Sequence, residues 1–381
     1  MTFAQKILIW YAANKRTLPW RRTRDPYKIW LSEVMLQQTR VVQGTPYYLK
    51  FIATFPTVYD LASAPEERVL KLWQGLGYYS RARNLHATAK TVAEEHNGRF
   101  PKTYEGLLRL KGIGDYTASA IASICFDAPE PVVDGNVYRV LARYFGVGKP
   151  VGSTSGTRYF KALARKVMDA DNIRDYNQGI MEFGAVQCIP KNPNCGICPL
   201  NDSCIAWQKD KVVELPVKGK KSKVQHRYFN YLIFLDADEN TLLQQRTGKG
   251  IWKNLWEFPL FESDADVDMN EVRRHLDRYS AEAQKGLEEF PDTEKDSSHS
   301  FPDTEKDGSD SFPDAGKILE IQKYNDTPII HKLSHQHLHT VFWILSMDTS
   351  LKEGIPLTEI EKYPVPVLIA GFLDTFKNSY F

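Results

Sequence analysis

Cys188-Ile-Pro-Lys-Asn-Pro-Asn-Cys195-Gly-Ile-Cys198-Pro-Leu-Asn-Asp-Ser-Cys204 is the stretch on which the reading of this chain turns. Its four cysteines are spaced C-x6-C-x2-C-x5-C and fall within 17 residues. Two disulfides packed so closely have little use in a chain of intracellular type. Zinc sites usually pair two C-x2-C units or add histidines. Here one C-x2-C has an outlier on each side, and no histidine lies in the segment. Four thiolates and nothing else suit a [4Fe-4S] cube best; spacing alone leaves zinc and disulfides open. Pro190, Pro193 and Pro199 make the segment a loop wrapped around something rather than a helix.

Upstream of the loop the segments 58–73, 80–96, 104–110, 116–125, 136–145 and 157–169 carry apolar residues at three/four spacing. Residues 1–207 are therefore expected to form an all-α domain of about ten helices, which the cysteine loop 188–204 closes. Residues 208–226 hold six lysines, and are expected to be a basic linker. From Tyr228 the period changes. YFNYLIFL predicts a strand, DADEN a turn, TLLQQR a second strand, and HTVFWIL (339–345) another. Residues 227–381 are thus expected to form a smaller α+β domain. Inside it FPDTEKDSSHS is followed by FPDTEKDGSDS and then FPDAGK, an 11-residue repeat too short and polar for a solenoid unit. The stretch 281–316 carries 11 acidic and 3 basic residues, a composition expected of a disordered insertion.

At 381 residues two domains are the natural division. The composition, 42% hydrophobic and 25% charged, is globular. No apolar run reaches the ~18 residues of a membrane span, and the N-terminus MTFAQKILIWYAANKR reads as an amphipathic helix without a cleavage site. A fifth cysteine, Cys125, has apolar neighbours and reads as a core residue. The net charge of +2 hides an asymmetry: residues 1–210 hold 28 Lys+Arg against 18 Asp+Glu, and residues 211–381 hold 21 against 29. The basic half is a candidate polyanion binder; an ordinary solvated surface is the plainer alternative.

Leu110-Lys-Gly-Ile-Gly-Asp-Tyr-Thr117 lies between two helical segments. Gly112 and Gly114 allow a tight turn with backbone N–H groups outward beside a helix N-terminus, which is a phosphate site. Such a hairpin grips a DNA backbone without reading sequence; a plain αα turn has the same pattern. In Val132-Val-Asp-Gly-Asn-Val137, Asp134 sits where a helix begins, as an N-cap or as a carboxylate facing the hairpin. Glu33, within Ile29-Trp-Leu-Ser-Glu-Val-Met-Leu36, is either on an exposed face or a buried carboxyl of raised pKa.

Together these segments resemble the helix–hairpin–helix DNA glycosylases of the endonuclease III superfamily, and more narrowly the adenine DNA glycosylase (MutY) family. The resemblance rests on LPWRRTRDPYKIWLSEVMLQQT (18–39), GLGYYSRARNL (75–85), LKGIGDYTASAIAS (110–123), VVDGNVYRVLAR (132–143), YNQGIMEFGAVQC (176–188) and the cysteine loop. It covers nearly all of 1–207. It implies one [4Fe-4S] cluster on Cys188, Cys195, Cys198 and Cys204, and a partner in double-stranded DNA holding A:8-oxoguanine or A:G mispairs. It also implies a general acid at Glu33, a carboxylate facing the sugar cation at Asp134, and supporting roles for Tyr116 and Asn136. The two-carboxylate logic is that of glycoside hydrolysis. Bifunctional relatives carry a lysine nucleophile where this chain has Tyr116, so a monofunctional enzyme without an efficient lyase step is implied. Leu36, Gln38, Thr39 and Tyr78 match the wedge and the contacts to the orphaned purine. Trp20, Arg21 and Gln178 match the adenine pocket. Core packing is the alternative for Trp20 and Tyr78.

The second domain resembles the Nudix-like C-terminal domain of that family. TLLQQR and IWKNLWEFP (251–259) match, but the glutamate-rich metal-binding run is missing, so a recognition module is expected and not a second enzyme. Leu333-Ser334-His335 matches the family's 8-oxoguanine reader, with Leu333 in place of its usual Phe. His331, His335, His337 and His339 read as alternating strand residues in preference to a zinc site. The resemblance implies a cytoplasmic, nucleoid-associated monomer of bacterial type, without a membrane segment.

Overall fold

Capping chemistry sets most helix boundaries in the first half of the chain. The computed structural model describes residues 1–219, 223–285 and 317–380, with the side chains of 279–285 and 377–380 excepted. Twelve α-helices lie in the first 208 residues: α1 (Phe3–Asn14), α2 (Pro26–Met35), α3 (Val41–Thr54), α4 (Val58–Ser63), α5 (Glu66–Trp73), α6 (Ser80–Glu95), α7 (Tyr104–Leu108), α8 (Asp115–Phe126), α9 (Gly135–Tyr144), α10 (Thr154–Val167), α11 (Ile173–Val186) and α12 (Ile205–Gln208). Thr2, Asp25, Thr57, Thr103, Asp134 and Ser153 each accept a first-turn N–H on a side-chain oxygen, which satisfies donors the helix leaves open. The expected helix over 58–73 is two helices. Pro65 lies between them, where its ring and missing N–H interrupt the ladder and its carbonyl starts the next helix.

Helices α2, α8, α9 and α11 pack on one another. Ala118, Ser119, Ala120, Ala122 and Ser123 of α8 are all buried; side chains this small let neighbouring backbones approach. Gly184 does the same where α11 meets α9. A Cβ there would lie 2.6 Å from the Asn136 Cβ and 2.9 Å from its carbonyl oxygen. Between α7 and α8, Gly112 turns the chain at φ +75°, a conformation that costs a residue with a Cβ about 1–2 kcal/mol. Its Cβ would also strike Asn84 at 2.6 Å. Cys125, read as a core residue, is half-buried in the last turn of α8.

Two compact units divide the chain: Met1–Leu72 with Arg81–Lys221, and Trp73–Ser80 with Ser222–Phe381. The stretch read as a basic linker is corrected as far as Lys218. Leu215 is buried, Arg143 donates to the carbonyls of Val212 and Leu215, and Lys218 bridges to Val151. The lysines mask a segment that packs on the helical unit through its backbone.

In the second unit β1 (Gln225–Leu235), β2 (Asn240–Thr241), β3 (Gln244–Gln245), β4 (Trp256–Glu257), β5 (Leu260–Ser263), α13 (Met269–Lys285), β6 (Ile318–Lys323), β7 (Ile329–Lys332), β8 (Gln336–Met347), β9 (Ile355–Pro356) and α14 (Val367–Tyr380) follow in order. The main sheet runs β5-β1-β8-β6, with β7 also paired to β8. β1 is parallel to β8, from Gln225↔Gln336 to Leu235↔Ser346; the other pairs are antiparallel. Alternate residues of β1 serve opposite faces, as the pleat requires. Leu232 and Phe234 join Val341, Trp343 and Val272 in one core cluster. On the other face Tyr231 stacks on Phe342, whose ring centroid is 4.1 Å from that of Phe372 in α14. TLLQQR, read as one strand, is split into β2 and β3, which pair with different partners. The acidic stretch begins inside α13, which continues to Lys285; the repeat itself lies outside the described residues. No helix among the described residues is long and apolar enough to cross a membrane.

The contact of Gly184 with α9 is testable. Gly184→Ala is expected to lower stability by about 1–3 kcal/mol, the usual cost of overpacking, read as a drop in the urea or thermal midpoint. An unchanged midpoint would show that α9 yields without cost.

Candidate active site

Asp25 and Pro26 start α2, and the helix then carries Glu33 into the core at 7% exposure. Of the two readings the sequence left for Glu33, the structure has the buried one. Tyr116, in the first turn of α8, donates its hydroxyl to Glu33 Oε2 at 2.6 Å, and the same hydroxyl lies 3.3 Å from Met181 Sδ. Burial pushes the Glu33 carboxyl up to about 7; the Tyr116 hydrogen bond opposes this, and the nearby charge of Asp134 adds to it. A carboxyl that holds its proton near neutral pH can act as an acid.

Asp134 is the N-cap that one of its readings required. Its Oδ1 accepts from the N–H groups of Asn136 and Val137, at 2.9 and 2.8 Å, as an N-cap. Its Oδ2 accepts from Asn136 Nδ2 at 2.8 Å, and its charge acts on both Glu33 and Tyr116. Burial raises the Asp134 carboxyl above its ordinary range, and the N–H donors pull against that. Arg139 locks Asn136 in turn. Its Nη2 donates to Asn136 Oδ1 at 2.8 Å and to the Gly184 carbonyl at 2.6 Å, and its Nε donates to the Cys188 carbonyl at 2.7 Å. Glu33, Tyr116, Asp134 and Asn136 are therefore one group.

The three residues assigned to an adenine pocket are placed differently from one another. Arg21 donates to Glu182 Oε2 at 2.8 Å and acts on the charge of Glu33. Gln178 is buried and accepts from the Tyr11 hydroxyl at 3.3 Å. Trp20 is buried edge-on against Tyr48, ring centroids 5.3 Å apart, the core placement its aromatic character allowed.

Leu36, Gln38 and Thr39 lie in the turn after α2, with exposed Gln38 in the left-handed region at φ +57°. Buried Arg81 holds this turn by donating to the carbonyls of Val34, Met35 and Gln37. Gly114 precedes α8 with open space where a Cβ would stand, so the backbone beside Gly112 is accessible. Tyr78 is left-handed at φ +48° and half exposed. Its hydroxyl is hydrogen-bonded to Ser334 Oγ, within the second unit. Ser334 and His335 are exposed in the β7–β8 turn, where the His335 carbonyl accepts from Gln225 N at 3.0 Å.

All four cysteines of the 188–204 loop line one cavity, together with Arg143 and Leu200. Arg143 donates to the carbonyls of Ile189 and Pro190 and reaches Cys188 Sγ at 3.4 Å. Burial raises the Cys195, Cys198 and Cys204 thiols, and the neighbouring cysteines add to it. Such a set calls for metal charge to make thiolates of it. The lining of the cavity holds these four thiols and no histidine or carboxylate, the donor set that suits a [4Fe-4S] cube. The residues fit a cluster.

Arg139, Arg143, Glu182 and Met181 were not singled out from the sequence. Arg139 and Arg143 did leave a signal: they stand four residues apart within the apolar pattern of α9, where a solvated arginine has no place.

A family model described as HhH-GPD superfamily base excision DNA repair protein matches residues 31–158. A second, described as the iron-sulfur binding domain of endonuclease III, matches residues 188–204. The chain is 39% identical over 262 residues to the adenine DNA glycosylase of Buchnera aphidicola subsp. Schizaphis graminum, covering 68% of this chain and 75% of that protein. It is 44% identical over 229 residues to the adenine DNA glycosylase of Homo sapiens, covering 58% and 42%. Among solved structures, a thermostable thymine-DNA glycosylase superposes with a TM-score of 0.51 at 31% identity, over 54% of this chain and 95% of that one. The chain carries one [4Fe-4S] cluster, which Cys188, Cys195, Cys198 and Cys204 would hold. When bound, it cross-links the loop through four Fe–S bonds.

Cys198→Ser is expected to lose the visible absorbance and most of the ~4 iron per chain of such a cluster. One zinc per colourless, active wild-type chain would contradict the assignment. Glu33 gives a stability prediction. Its folded pKa of about 7 exceeds the ordinary value near 4.5, so the fold favours the protonated form and loses stability as pH rises from about 4.5 to 7. Glu33→Gln removes that loss. By ~1.4 kcal/mol per pKa unit, the variant should be more stable by up to ~3 kcal/mol in melts at pH 8.5, with a much smaller gap at pH 5.5.

Proposed function

Since the chain belongs to the adenine DNA glycosylase family, a family of base-excision-repair enzymes, we propose that it hydrolyses the N-glycosidic bond of adenine paired with 8-oxoguanine or guanine, without an efficient lyase step. The observation that carries this is the buried Glu33–Tyr116 pair with Asp134 beside it. Adenine flipped from the duplex receives the Glu33 proton on its N7 as the bond from N9 to C1′ breaks. Asp134 offers its negative charge to the oxocarbenium-like sugar. Water then bonds to C1′ and gives its proton to the Glu33 carboxylate, which restores the acid.

A lyase needs an amine to form a Schiff base with the sugar, and Tyr116 stands where bifunctional relatives carry one. Gly112 and Gly114 would present backbone N–H groups to phosphate. Leu36, Gln38 and Thr39 would supply the wedge and contacts to the orphaned purine. The second unit would read the partner base: 8-oxoguanine differs from guanine by a carbonyl at C8 and a proton on N7, and Ser334 and His335 are exposed hydrogen-bonding groups on one turn. We place the enzyme as a monomer on cytoplasmic, nucleoid DNA, with residues 1–207 and 227–381 as its working parts.

Duplexes holding A opposite 8-oxoguanine, G or T, treated with and without alkali, test the reading. Strand breaks should need alkali. Glu33→Gln should bind DNA yet cut the excision rate by the ~10²–10⁴-fold typical of a lost general acid; a rate within a few-fold of wild type would remove Glu33 from the mechanism. Breaks without alkali, trapped by borohydride, would favour a lyase. Ser334→Ala with His335→Ala should narrow the preference for A:8-oxoguanine over A:G by about tenfold or more, given ~1–3 kcal/mol per specific contact. An unchanged ratio would assign the second unit another task.

A further inference from the structure

Glu182 is a carboxylate of the helical unit at 1% exposure. It accepts from four N–H donors: Arg16 Nε at 2.7 Å, Arg16 Nη2 at 2.7 Å, the Arg16 backbone at 3.0 Å and Arg21 Nη2 at 2.8 Å. Arg21 is steadied further by the Arg16 carbonyl, at 3.0 Å from its Nη1, and by the Tyr11 ring, whose centroid is 5.6 Å from its guanidinium carbon. Glu182 follows Gln178 by one turn of α11 and adjoins Met181, which touches the Tyr116 hydroxyl. The Arg21 guanidinium is hydrogen-bonded to Glu182, and its charge also reaches Glu33.

We infer that Glu182 is a positioning residue for the proposed reaction: it commits Arg21 to its own carboxylate and so keeps that guanidinium from drawing the proton off Glu33. A cation beside a buried carboxyl favours the ionised form, and an ionised Glu33 cannot protonate a leaving base. The groups that bear on Glu33 are Tyr116 and Cys125 of α8, Asp134 at the head of α9 and Arg21 of the 3-10 turn at 19–22. Only Arg21 is cationic, and it is the smallest of the influences on Glu33. Its two arginines hold Glu182 ionised, down to about 2, against the opposing effect of burial. Glu33 meanwhile stays near 7. The division holds while the Glu182 charge is present.

The inference rests on Glu33 being the acid. The test follows single-turnover excision of adenine opposite 8-oxoguanine from pH 5.5 to 9, with saturating enzyme. Wild type should lose rate as pH rises through about 7. In Glu182→Gln the midpoint should fall by about one unit or more, so that the rate at pH 8 drops about tenfold while that at pH 5.5 holds within about threefold. Glu182→Asp, which keeps the charge, should stay near the wild-type midpoint. Adding Arg21→Ala to Glu182→Gln should return the midpoint to the wild-type value, which a general packing defect would not do. A wild-type fall near pH 7 with an unmoved midpoint in folded Glu182→Gln overturns this inference and leaves Glu33 as the acid. A wild-type profile flat through pH 7, or full activity in Glu33→Gln, overturns the acid assignment and this inference with it. If Glu182→Gln does not fold, Arg21→Ala decides. A midpoint within about half a unit of wild type supports a guanidinium already held off Glu33, and a rise of about one unit or more overturns it.

Discussion

Taking an ionised carboxyl out of water costs several kcal/mol unless it is paired, and Glu33 is held where that cost is felt. The helical unit meets the constraint by giving Glu33 a neutral partner, the Tyr116 hydroxyl, while Arg16 and Arg21 pair with Glu182. Glu33 and Glu182, two acids of this region, are opposites. Glu182 sits among guanidiniums and is driven down to about 2; Glu33 sits among apolar side chains, a phenol and a second carboxylate and is driven up to about 7. Glu33 on α2 and Glu182 on α11 stand in one body of packed helices, which small residues on α8 and Gly184 on α11 allow to approach closely.

A second pattern runs through the buried arginines. Arg81 holds the carbonyls of the turn after α2, Arg139 those of Gly184 and Cys188, and Arg143 those of Ile189, Pro190, Val212 and Leu215. Irregular backbone has no ladder to satisfy its oxygens. A guanidinium fork with five N–H donors can serve several at once, which lets loops without secondary structure keep a fixed path beside the site. Arg139 binds both Asn136 and the first residue of the cysteine loop, so that loop and the capped carboxylate share one anchor.

The sequence was most informative where chemistry forces a residue type. Cysteine spacing announced the loop, paired glycines announced the hairpin, and the change from three/four spacing to a run of strand-forming residues at Tyr228 announced the second unit. It was least informative where partners lie far apart in the chain. Glu33 could be read as exposed or buried because Tyr116, 83 positions away, decides the matter. Glu182 drew no notice because its arginines are more than 160 residues upstream. Residues 208–219 read as linker because what fixes them is backbone, invisible to composition. TLLQQR read as one strand because its alternation says nothing about which strands will take its two halves.

The partition of the chain is not a single cut. Trp73–Ser80 lies between two helices of the first unit by sequence and belongs to the second by contact. Val365 N donates to the Gln74 side chain at 3.4 Å, and Tyr78 is bonded to Ser334. A gene truncated at Lys221 would therefore not yield an intact half. It would keep an eight-residue piece of the missing unit and strip that piece of its neighbours, so any deficit in such a fragment would mix the loss of one unit with damage to the other. Point substitutions in the intact 381-residue chain are the cleaner way to divide their labour.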